Sequence, residues 1–309
     1  MKTKVAVTTV SFSNNEELIK KLRSHENLEV VLNPHGRRLT PGELVELLQP
    51  CAGAIVGLDK IHSEVLKQVP NLQVISKYGV GLDNINFEDC EKHDVKVVHT
   101  QGVNKRSVAE MTLGFMLMLG RNLYATSNLH KRGKWQKSGG IQLSEKTVGI
   151  IGFGNIGQEV AALLKPFGCK LLVNDIADKS QEIKEHGAVS ASKEEIFAQA
   201  DFVTLHTPLT DQTENLINSK VLEKLKNEAF VINTARGGIV NEEDLKIALI
   251  TGEIAGAALD AYVVEPPKDQ ELVSLPNLVC TPHIGGNARE AVQAMGEAAI
   301  LNLVEALAV

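Results

Sequence analysis

Aromatic residues and cysteines are both scarce in this chain of 309 residues. Phe, Trp and Tyr together make up 4% of it, and a single residue is Trp. The cysteines form no C-x-x-C pair and no spacing typical of a zinc site; they are Cys51, Cys90, Cys169 and Cys280. We therefore expect reduced thiols in a protein that holds no metal ion.

The chain also lacks an excess of positive charge and a long hydrophobic run. Its formal net charge of -6 provides no basic surface for a nucleic acid or an anionic membrane. The longest apolar run, around 111–119, is well below the roughly 20 residues that a membrane-spanning helix needs. The first residues lead straight into a predicted strand and are too short for the apolar region of a signal peptide. We expect a cytoplasmic protein that binds neither nucleic acid nor membrane.

What the chain does contain is a regular alternation of short apolar runs with helical patterns. Its hydrophobic fraction of 43% and charged fraction of 23% are ordinary for a globular protein, and its length suits two domains of roughly 150 residues each. The alternation predicts an α/β fold in which helices connect parallel strands. The first five predicted strands are Lys4–Thr8, Glu29–Leu32, Ala54–Val56, Val74–Ser76 and Lys96–Val98.

A second series of elements follows residue 100. It opens with a predicted long helix over about Ser107–Leu129 and closes with another over about Asn287–Leu307. The first of these helices is apolar around most of its circumference, so either a subunit core or a dimer interface must bury it. The predicted strands between the two helices are Thr147–Ile151, Lys170–Asn174, Phe202–Leu205, Phe230–Asn233, Gly256–Leu259 and Leu278–Cys280.

A glycine-rich turn follows the first strand of this second series. The sequence Gly152-Phe-Gly-Asn-Ile-Gly157 lies between that strand and a predicted helix, the arrangement that cradles the pyrophosphate of a dinucleotide. Asp175 ends the next strand, 18 residues beyond Gly157, where an acid binds the adenosine ribose hydroxyls. Because no Lys or Arg follows until Lys179, the pattern favours NAD over NADP.

Three ionisable residues, Arg236, Glu265 and His283, each follow a later strand of the same series. The carboxyl ends of parallel strands meet at one edge of a sheet, which is where ligands bind. There an Arg grips a carboxylate with its forked donors, and a His transfers a proton. A Glu beside the His orients the imidazole and favours its charged form. These residue types predict the reduction of a carbonyl group.

These motifs, in this order, resemble the D-isomer-specific 2-hydroxyacid dehydrogenase family over the whole chain. The resemblance also rests on 77–85 (KYGVGLDNI), 104–110 (NKRSVAE), 206–209 (HTPL) and 259–260 (LD). It implies two Rossmann-like, doubly wound parallel-sheet domains. A cofactor domain, 100–284, would be inserted into a substrate domain formed by 1–99 and 285–309. It further implies a homodimer assembled through the cofactor domains.

The family resemblance also implies roles for individual residues. Arg236, Glu265 and His283 would form the catalytic set, and Asp260 would bind the nicotinamide carboxamide. The substrate would contact the backbone N–H groups of Gly79, Val80 and Gly81, together with Arg236 and His283. The residues expected at NAD are Gly152, Gly154, Asn155, Ile156, Gly157, Asp175, His206, Thr207, Pro208, Thr234, Ala235, Arg236, Asp260, His283 and Gly285.

The substrate itself is less well specified. The runs 104–110 and 152–157 resemble the short 3-phosphoglycerate dehydrogenase-like branch, which predicts 3-phosphoglycerate and 3-phosphohydroxypyruvate as the substrate pair. That branch often carries an Arg-Ser pair after the third strand, where this chain has Gly57-Leu-Asp-Lys60. Lys60, or Arg37 and Arg38, would have to supply the missing charge. The alternatives are a glyoxylate or hydroxypyruvate reductase, or a corepressor-like protein that senses NAD without catalysis.

Overall fold

The computed structural model describes residues 2–308. It divides into two compact units, one formed by Met1–Asn104 with Gly286–Val309 and the other by Lys105–Gly285. The second unit is therefore an insertion in the chain of the first. Each unit contains one sheet, all of whose strand pairs are parallel, and this confirms the predicted fold of two doubly wound α/β units. The functional domain limits predicted near residues 99 and 284 stay a prediction.

The first unit contains a five-stranded sheet with the order β2-β1-β3-β4-β5. Its strands are β1 (Thr3–Val7), β2 (Leu28–Leu32), β3 (Gly53–Val56), β4 (Val74–Lys77) and β5 (Lys96–Val98). Its helices are α1 (Val10–Ser13), α2 (Glu16–Arg23), α3 (Pro41–Leu48), α4 (Ser63–Leu66), α5 (Phe87–Lys92) and, from the last part of the chain, α14 (Arg289–Leu307).

Local sequence explains where these helices begin and how they pack. Thr40 starts α3 with a capping box, since its side chain accepts from the Glu43 N–H and the Glu43 side chain accepts from the Thr40 N–H. The last helix, α14, packs against the sheet, where Ser76 Oγ donates to the Ala299 carbonyl at 2.8 Å. It also approaches α2 so closely that a Cβ on Gly296 would overlap the side chain of Leu18. Apolar side chains fill both faces of the sheet.

The second unit contains a seven-stranded sheet with the order β12-β11-β10-β9-β6-β7-β8. Its strands are β6 (Thr147–Ile151), β7 (Lys170–Asn174), β8 (Val189–Ser190), β9 (Phe202–Leu205), β10 (Phe230–Asn233), β11 (Gly256–Leu259) and β12 (Leu278–Cys280). Its helices are α6 (Lys105–Gly120), α7 (Leu123–Lys131), α8 (Asn155–Leu164), α9 (Ser180–Glu185), α10 (Lys193–Gln199), α11 (Ser219–Leu222), α12 (Glu242–Thr251) and α13 (Gln270–Val273).

The order of the strands locates the ligand crevice of this unit. From β6 the chain continues to β7 and β8, towards one edge of the sheet. It then returns to β9, which is the neighbour of β6 on the opposite side. The connections therefore lead away in opposite directions at β6 and β9. In open α/β sheets, ligands bind outside the carboxyl ends of the strands at such a switch point.

The long helix predicted over Ser107–Leu129 is wrong as a single element. The chain leaves the helical path at Asn122, which adopts a left-handed conformation with φ 51°. The Gly120 carbonyl, which would have continued the helix, accepts instead from the Ile141 N–H at 2.6 Å. The first helix, α6, buries Phe115, Met116 and Leu119, whereas every residue of α7 is at least partly exposed.

The short strand β8 was not predicted, because its two residues are exposed and lack an apolar run. The other strands of the second unit have the predicted limits. Within residues 2–308, the helices are too short or too polar to cross a lipid bilayer.

Candidate active site

Glycines shape the turn between β6 and α8 through the close approach of backbone groups. Gly152 has a φ of +92°, and a Cβ there would lie 2.5 Å from the His206 carbonyl oxygen. A Cβ on Gly157 would overlap the Gly152 carbonyl oxygen. A Cβ on Gly154, in contrast, would meet no atom of the described residues within 4 Å. The turn is therefore tight on its protein side and open beside the first N–H groups of α8, as pyrophosphate binding requires.

Asp175 is held at this turn by two backbone groups. Its Oδ2 accepts from the Phe153 N–H at 2.6 Å, and its Oδ1 accepts from the Ala177 N–H at 2.9 Å. The nearby Lys179 forms an ion pair with Glu182 at 2.9 Å, and the hydrogen bond to Glu182 raises the pKa of this lysine. Lys179, the first basic residue after β7, is therefore paired with an acid. The carboxylate of Asp175 is held in place by backbone N–H groups.

Two polar atoms beside the glycine turn are buried and have no hydrogen-bond partner among the described residues. They are His206 Nδ1 and Thr207 Oγ1, directly after β9. The other ring nitrogen, His206 Nε2, bonds to Thr204 Oγ1 at 2.9 Å. Burial lowers the pKa of His206 to about 3, so the ring is neutral at physiological pH. Unsatisfied buried polar atoms are uncommon in native proteins, and a ligand in the crevice would pair with them. The glycine turn, Asp175 and these two atoms together fit a dinucleotide.

Arg236 stands on a turn that the last residue of β10 braces. The side chain of Asn233, which is 1% exposed, donates to the Arg236 carbonyl at 2.8 Å and accepts from the Ala235 N–H at 3.0 Å. Thr234 Oγ1 lies 3.0 Å from Thr112 Oγ1 on α6. Sequence reasoning missed Asn233, although an Asn that bonds to the backbone two residues further on is a known turn signal.

Glu265 and His283 form a hydrogen-bonded pair. The distance from His283 Nδ1 to Glu265 Oε1 is 2.8 Å, and the same oxygen accepts from the Tyr262 N–H at 3.2 Å. A carboxylate oxygen accepts, so Nδ1 donates and Nε2 is the ring nitrogen left for a substrate. Both side chains are about two-fifths exposed, at 43% for His283 and 41% for Glu265. The pair is therefore accessible to a small molecule.

The turn of Arg236 touches the segment that leads to Glu265. A Cβ on Gly237 would overlap the backbone carbonyl group of Tyr262. Only glycine permits this approach, which places the β10 and β11 loops side by side. The structure thus brings the loops of the three predicted catalytic residues to one edge of the sheet.

Asp260, at the end of β11, holds the loop of His283. Its carboxylate is 1% exposed and accepts three hydrogen bonds from the far side of that loop. The donors are Thr281 Oγ1 at 2.6 Å, the Ile284 N–H at 2.8 Å and the Gly285 N–H at 2.7 Å. This positioning was missed in the sequence, where Asp260 was predicted to contact nicotinamide. That contact stays a prediction.

The remaining predicted substrate residues belong to the first unit. Lys60 follows β3, and Gly79, Val80 and Gly81 follow β4, so all of them come after carboxyl ends of that unit's strands. Gly79 has a φ of +105°, a conformation that favours glycine. The substrate roles of these residues stay predictions. Within residues 2–308, no group of three or more His, Cys, Asp or Glu residues could hold a metal ion.

Comparison with known protein families identifies the second unit. The model of the D-isomer specific 2-hydroxyacid dehydrogenase, NAD binding domain, matches residues 113–285. The chain belongs to this family. The predicted family, the oxidoreductase class and the NAD cofactor are thereby confirmed.

Individual relatives cover nearly the whole chain. A hydroxypyruvate reductase of Thermotoga maritima is 35% identical over 91% of this chain and 92% of its own length. A D-3-phosphoglycerate dehydrogenase of Rattus norvegicus is 37% identical over 93% of this chain and 54% of its own length. The chain therefore spans about half the length of that relative.

Solved structures agree with the fold. A protein of Thermus thermophilus superposes with a TM-score of 0.90 at 34% identity, covering 99% of this chain and 97% of its own. A D-lactate dehydrogenase of Aquifex aeolicus, complexed with NAD and lactic acid, superposes with a TM-score of 0.84 at 25% identity, covering 99% and 95%.

The glycine turn yields a prediction that separates cofactor binding from folding. Gly154→Ala places a methyl group in open space, so its unfolding free energy should change by less than about 1 kcal/mol. Its affinity for NADH should nevertheless fall about tenfold or more, because the methyl group occupies the space of the pyrophosphate. Gly157→Ala forces a Cβ against the Gly152 carbonyl and should cost about 1–3 kcal/mol of stability.

Urea unfolding and NADH fluorescence titration measure the two effects. Wild-type NADH affinity in Gly154→Ala would contradict the predicted pyrophosphate position. Unchanged stability in Gly157→Ala would contradict the tight packing of the turn.

Proposed function

We propose that this protein interconverts a short D-2-hydroxy acid and its 2-keto acid with NAD. The observation that carries the proposal is the Glu265–His283 pair, at 2.8 Å, at the same sheet edge as the glycine turn and the Arg236 loop. An acid–base group, a cation for a carboxylate and a dinucleotide cradle are the three parts that this chemistry needs. All three are in the second unit.

His283 moves the proton in the proposed mechanism. With Nδ1 bonded to Glu265, Nε2 donates a proton to the keto oxygen during reduction and accepts it from the hydroxyl during oxidation. Glu265 keeps the imidazole ring oriented, because the Tyr262 N–H holds the Oε1 of Glu265 in place. The carboxylate also stabilises the imidazolium that is present before reduction and after oxidation.

Arg236 binds the acid and stabilises charge. Its guanidinium would hold the substrate carboxylate in a forked pair and stabilise the negative charge that grows on the keto oxygen. The backbone of the turn is already fixed by Asn233, so little ordering is needed on binding. On the first unit, we propose that the N–H groups of Gly79, Val80 and Gly81 bind a carboxylate oxygen.

The glycine turn and the polar groups beside it indicate which residues contact NAD. NAD, when bound, supplies or accepts the hydride at C2 of the acid. We propose that Gly154, Asn155, Ile156 and Gly157 contact its pyrophosphate, that Asp175 binds the ribose hydroxyls, and that His206, Thr207 and Pro208 line the crevice. Asp175 would repel the 2′-phosphate of NADP, and Lys179 would not offset that repulsion because it is paired with Glu182.

Replacing His283 tests the proposed chemistry. His283→Ala should lower kcat by about 10²- to 10⁴-fold, the usual value of general acid–base catalysis. Its affinity for NADH should stay near that of the wild type, because the cradle is untouched. Oxidation of NADH at 340 nm with a panel of 2-keto acids measures the first, and fluorescence titration the second. Near-normal turnover would overturn the role of His283. Tight NADH binding without turnover on any acid, even in the wild type, would favour the binding-protein alternative.

A phosphorylated substrate is the first candidate, with Arg38 as its cation. Arg37 is already committed: its guanidinium donates to both Glu43 oxygens, at 2.6 and 2.9 Å, and holds the pKa of that carboxyl well below its usual range. Arg38 instead donates to the Leu58 carbonyl at 2.6 Å. This contact brings the guanidinium of Arg38 to the loop after β3, where Lys60 is also exposed. These two cations support 3-phosphohydroxypyruvate.

An unphosphorylated acid is the second candidate. The observation in its favour is Leu58, an apolar side chain that is 72% exposed in the same loop. A leucine there would pack against a short substrate that carries no phosphate better than against a phosphate group. Hydroxypyruvate and glyoxylate are acids of this kind.

A pair of arginine variants distinguishes the two candidates. If the substrate carries a phosphate, Arg38→Ala should raise KM for 3-phosphohydroxypyruvate about tenfold or more, the value of a lost charged hydrogen bond. KM for hydroxypyruvate should stay the same. Arg37→Ala is the matched control and should leave the ratio of the two KM values unchanged. An unaltered ratio in Arg38→Ala, with wild-type preference for hydroxypyruvate or glyoxylate, would favour the second candidate.

We further propose that a second copy of the chain covers α7 and the segment after it. Leu123, Tyr124 and Trp135 are exposed in this region, Trp135 by 77%, and the Trp135 ring contacts His130 edge-on at 5.3 Å between ring centroids. Helix α6, which packs against α7, adds partly buried apolar side chains. A surface with several exposed apolar side chains is typical of an interface.

Charge introduced into this surface should separate the copies. Trp135→Glu is expected to shift the mass measured by light scattering from a dimer to a monomer, because a carboxylate would be buried without a partner. Ile250→Glu is the control, since Ile250 is a comparably exposed apolar residue on α12. The proposed interface would be contradicted if the wild type were a monomer. It would also be contradicted if Trp135→Glu remained a dimer while Ile250→Glu became a monomer.

A further inference from the structure

The first unit has a switch point of its own. The chain passes from β1 to β2, which is the edge strand next to it, and returns to β3, which is the neighbour of β1 on the opposite side. Its ligand crevice therefore lies outside the carboxyl ends of β1, β3 and β4. Two loops at this edge carry residues proposed to bind the substrate. These are the β3 loop, residues 57–61, and the β4 loop, residues 78–86.

A buried lysine connects the two loops. Lys77, the last residue of β4, is 4% exposed, and its Nζ donates to the Gly57 carbonyl and, at 2.7 Å, to Asn84 Oδ1. Asn84 in turn donates through Nδ2 to the carbonyls of Gly57 at 3.2 Å and Asp59 at 2.5 Å. One ammonium and one amide therefore tie the start of the β3 loop to the far end of the β4 loop.

Backbone and hydroxyl contacts complete the connection. The Ile61 N–H donates to the Asn84 carbonyl at 2.9 Å, and the Asn86 N–H donates to the Ile61 carbonyl at 2.9 Å. On the other side, Thr8 Oγ1 at the end of β1 donates to Asp59 Oδ2 at 2.5 Å. The β3 loop is thus held from both neighbouring strands, while the turn of Gly79, Val80 and Gly81 lies between Lys77 and Asn84 in the chain.

Core packing does not account for a lysine at this position. Removing an ammonium from water costs several kcal/mol unless hydrogen bonds and charge offset it, and a methionine would fill a similar volume without that cost. The ammonium does provide two things that methionine lacks. It fixes both ends of the β4 loop, and it adds a positive charge in a low-dielectric region two residues before the glycine turn.

We propose that Lys77, acting with Asn84, is a positioning residue for the carboxylate of a 2-keto acid. The pair holds the N–H groups of Gly79, Val80 and Gly81 in the geometry that accepts the carboxylate, and the ammonium raises the electrostatic potential there. This rests on the proposed function, because that function assigns the carboxylate to this turn. Lys77 acts through the turn and does not itself contact the acid.

Three variants test the pair in the full-length protein. Lys77→Met should raise KM for the best 2-keto acid about tenfold or more while KM for NADH changes less than about twofold. Asn84→Ala should raise the same KM by a smaller factor, because the ammonium remains. Ser76→Ala is the matched control: it also removes a buried hydrogen bond at the end of β4, but one directed to α14. It should lower the thermal midpoint and leave both KM values unchanged.

Amide hydrogen exchange of residues 78–86 supplies a readout that does not need turnover. Exchange should be faster in Lys77→Met and Asn84→Ala than in the wild type, and unchanged in Ser76→Ala. The inference is overturned if both variants lose thermal stability as Ser76→Ala does but keep KM for the keto acid and the exchange of the β4 loop. If Lys77→Met does not fold, Asn84→Ala alone decides by the same criteria.

The same data show whether the proposed function or the positioning role has failed. A wild type that turns over no 2-keto acid contradicts the proposed function, and faster exchange in the variants then still supports the bridge between the loops. Turnover by the wild type with unchanged KM and exchange in both variants contradicts the positioning role alone.

Discussion

The carboxylate of Asp260 is the group on which the geometry of the Glu265–His283 pair depends. It is buried, and burial of a charged carboxylate is costly unless several donors surround it. Here the donors come from Thr281, Ile284 and Gly285, which flank His283 on both sides. His283 itself has a φ of 53°, a conformation that costs a residue other than glycine about 1–3 kcal/mol. Because Asp260 holds the Thr281 hydroxyl before His283 and two backbone N–H groups after it, the imidazole is held where Glu265 can orient it.

Close backbone contacts determine how the loops are arranged around this pair. Gly237 lets the turn of Arg236 lie against the backbone of Tyr262, and Gly152 lets the end of β6 lie against the carbonyl of His206. Each contact joins loops from two strands that neighbour each other in the sheet. A side chain at either glycine would separate the loops, and the functional groups would move with them. The site is therefore built from backbone contacts first and side chains second.

The sequence predicted the strands of the second unit well because most are short, largely buried apolar runs that end at a glycine or a polar residue. It also singled out Arg236, Glu265 and His283, because each is an ionisable residue after such a strand. The structure brings their loops to one edge of the sheet, and their catalytic roles stay predictions. The break at Asn122 was missed, although Gly120 and Asn122 are both residues that end helices. The contact between Ile141 and Gly120 that makes the break necessary depends on tertiary structure. The same is true of Asp260, whose partners are more than 20 residues away in the chain, and of the bridge from Lys77 to Gly57.

The ring of His206, whose Nδ1 is buried, makes the stability of the fold depend on pH. Its pKa is about 3 in the folded protein, against 6.5 for an unperturbed histidine. Between these two pH values His206 binds a proton in the unfolded chain but not in the folded chain. Protons therefore act as a ligand of the unfolded state. This contribution to stability is fully present above the unfolded pKa, is lost progressively as the pH falls towards 3, and changes no further below it. Its cause is desolvation rather than attraction between charges, so added salt should screen it much less than it would a surface ion pair.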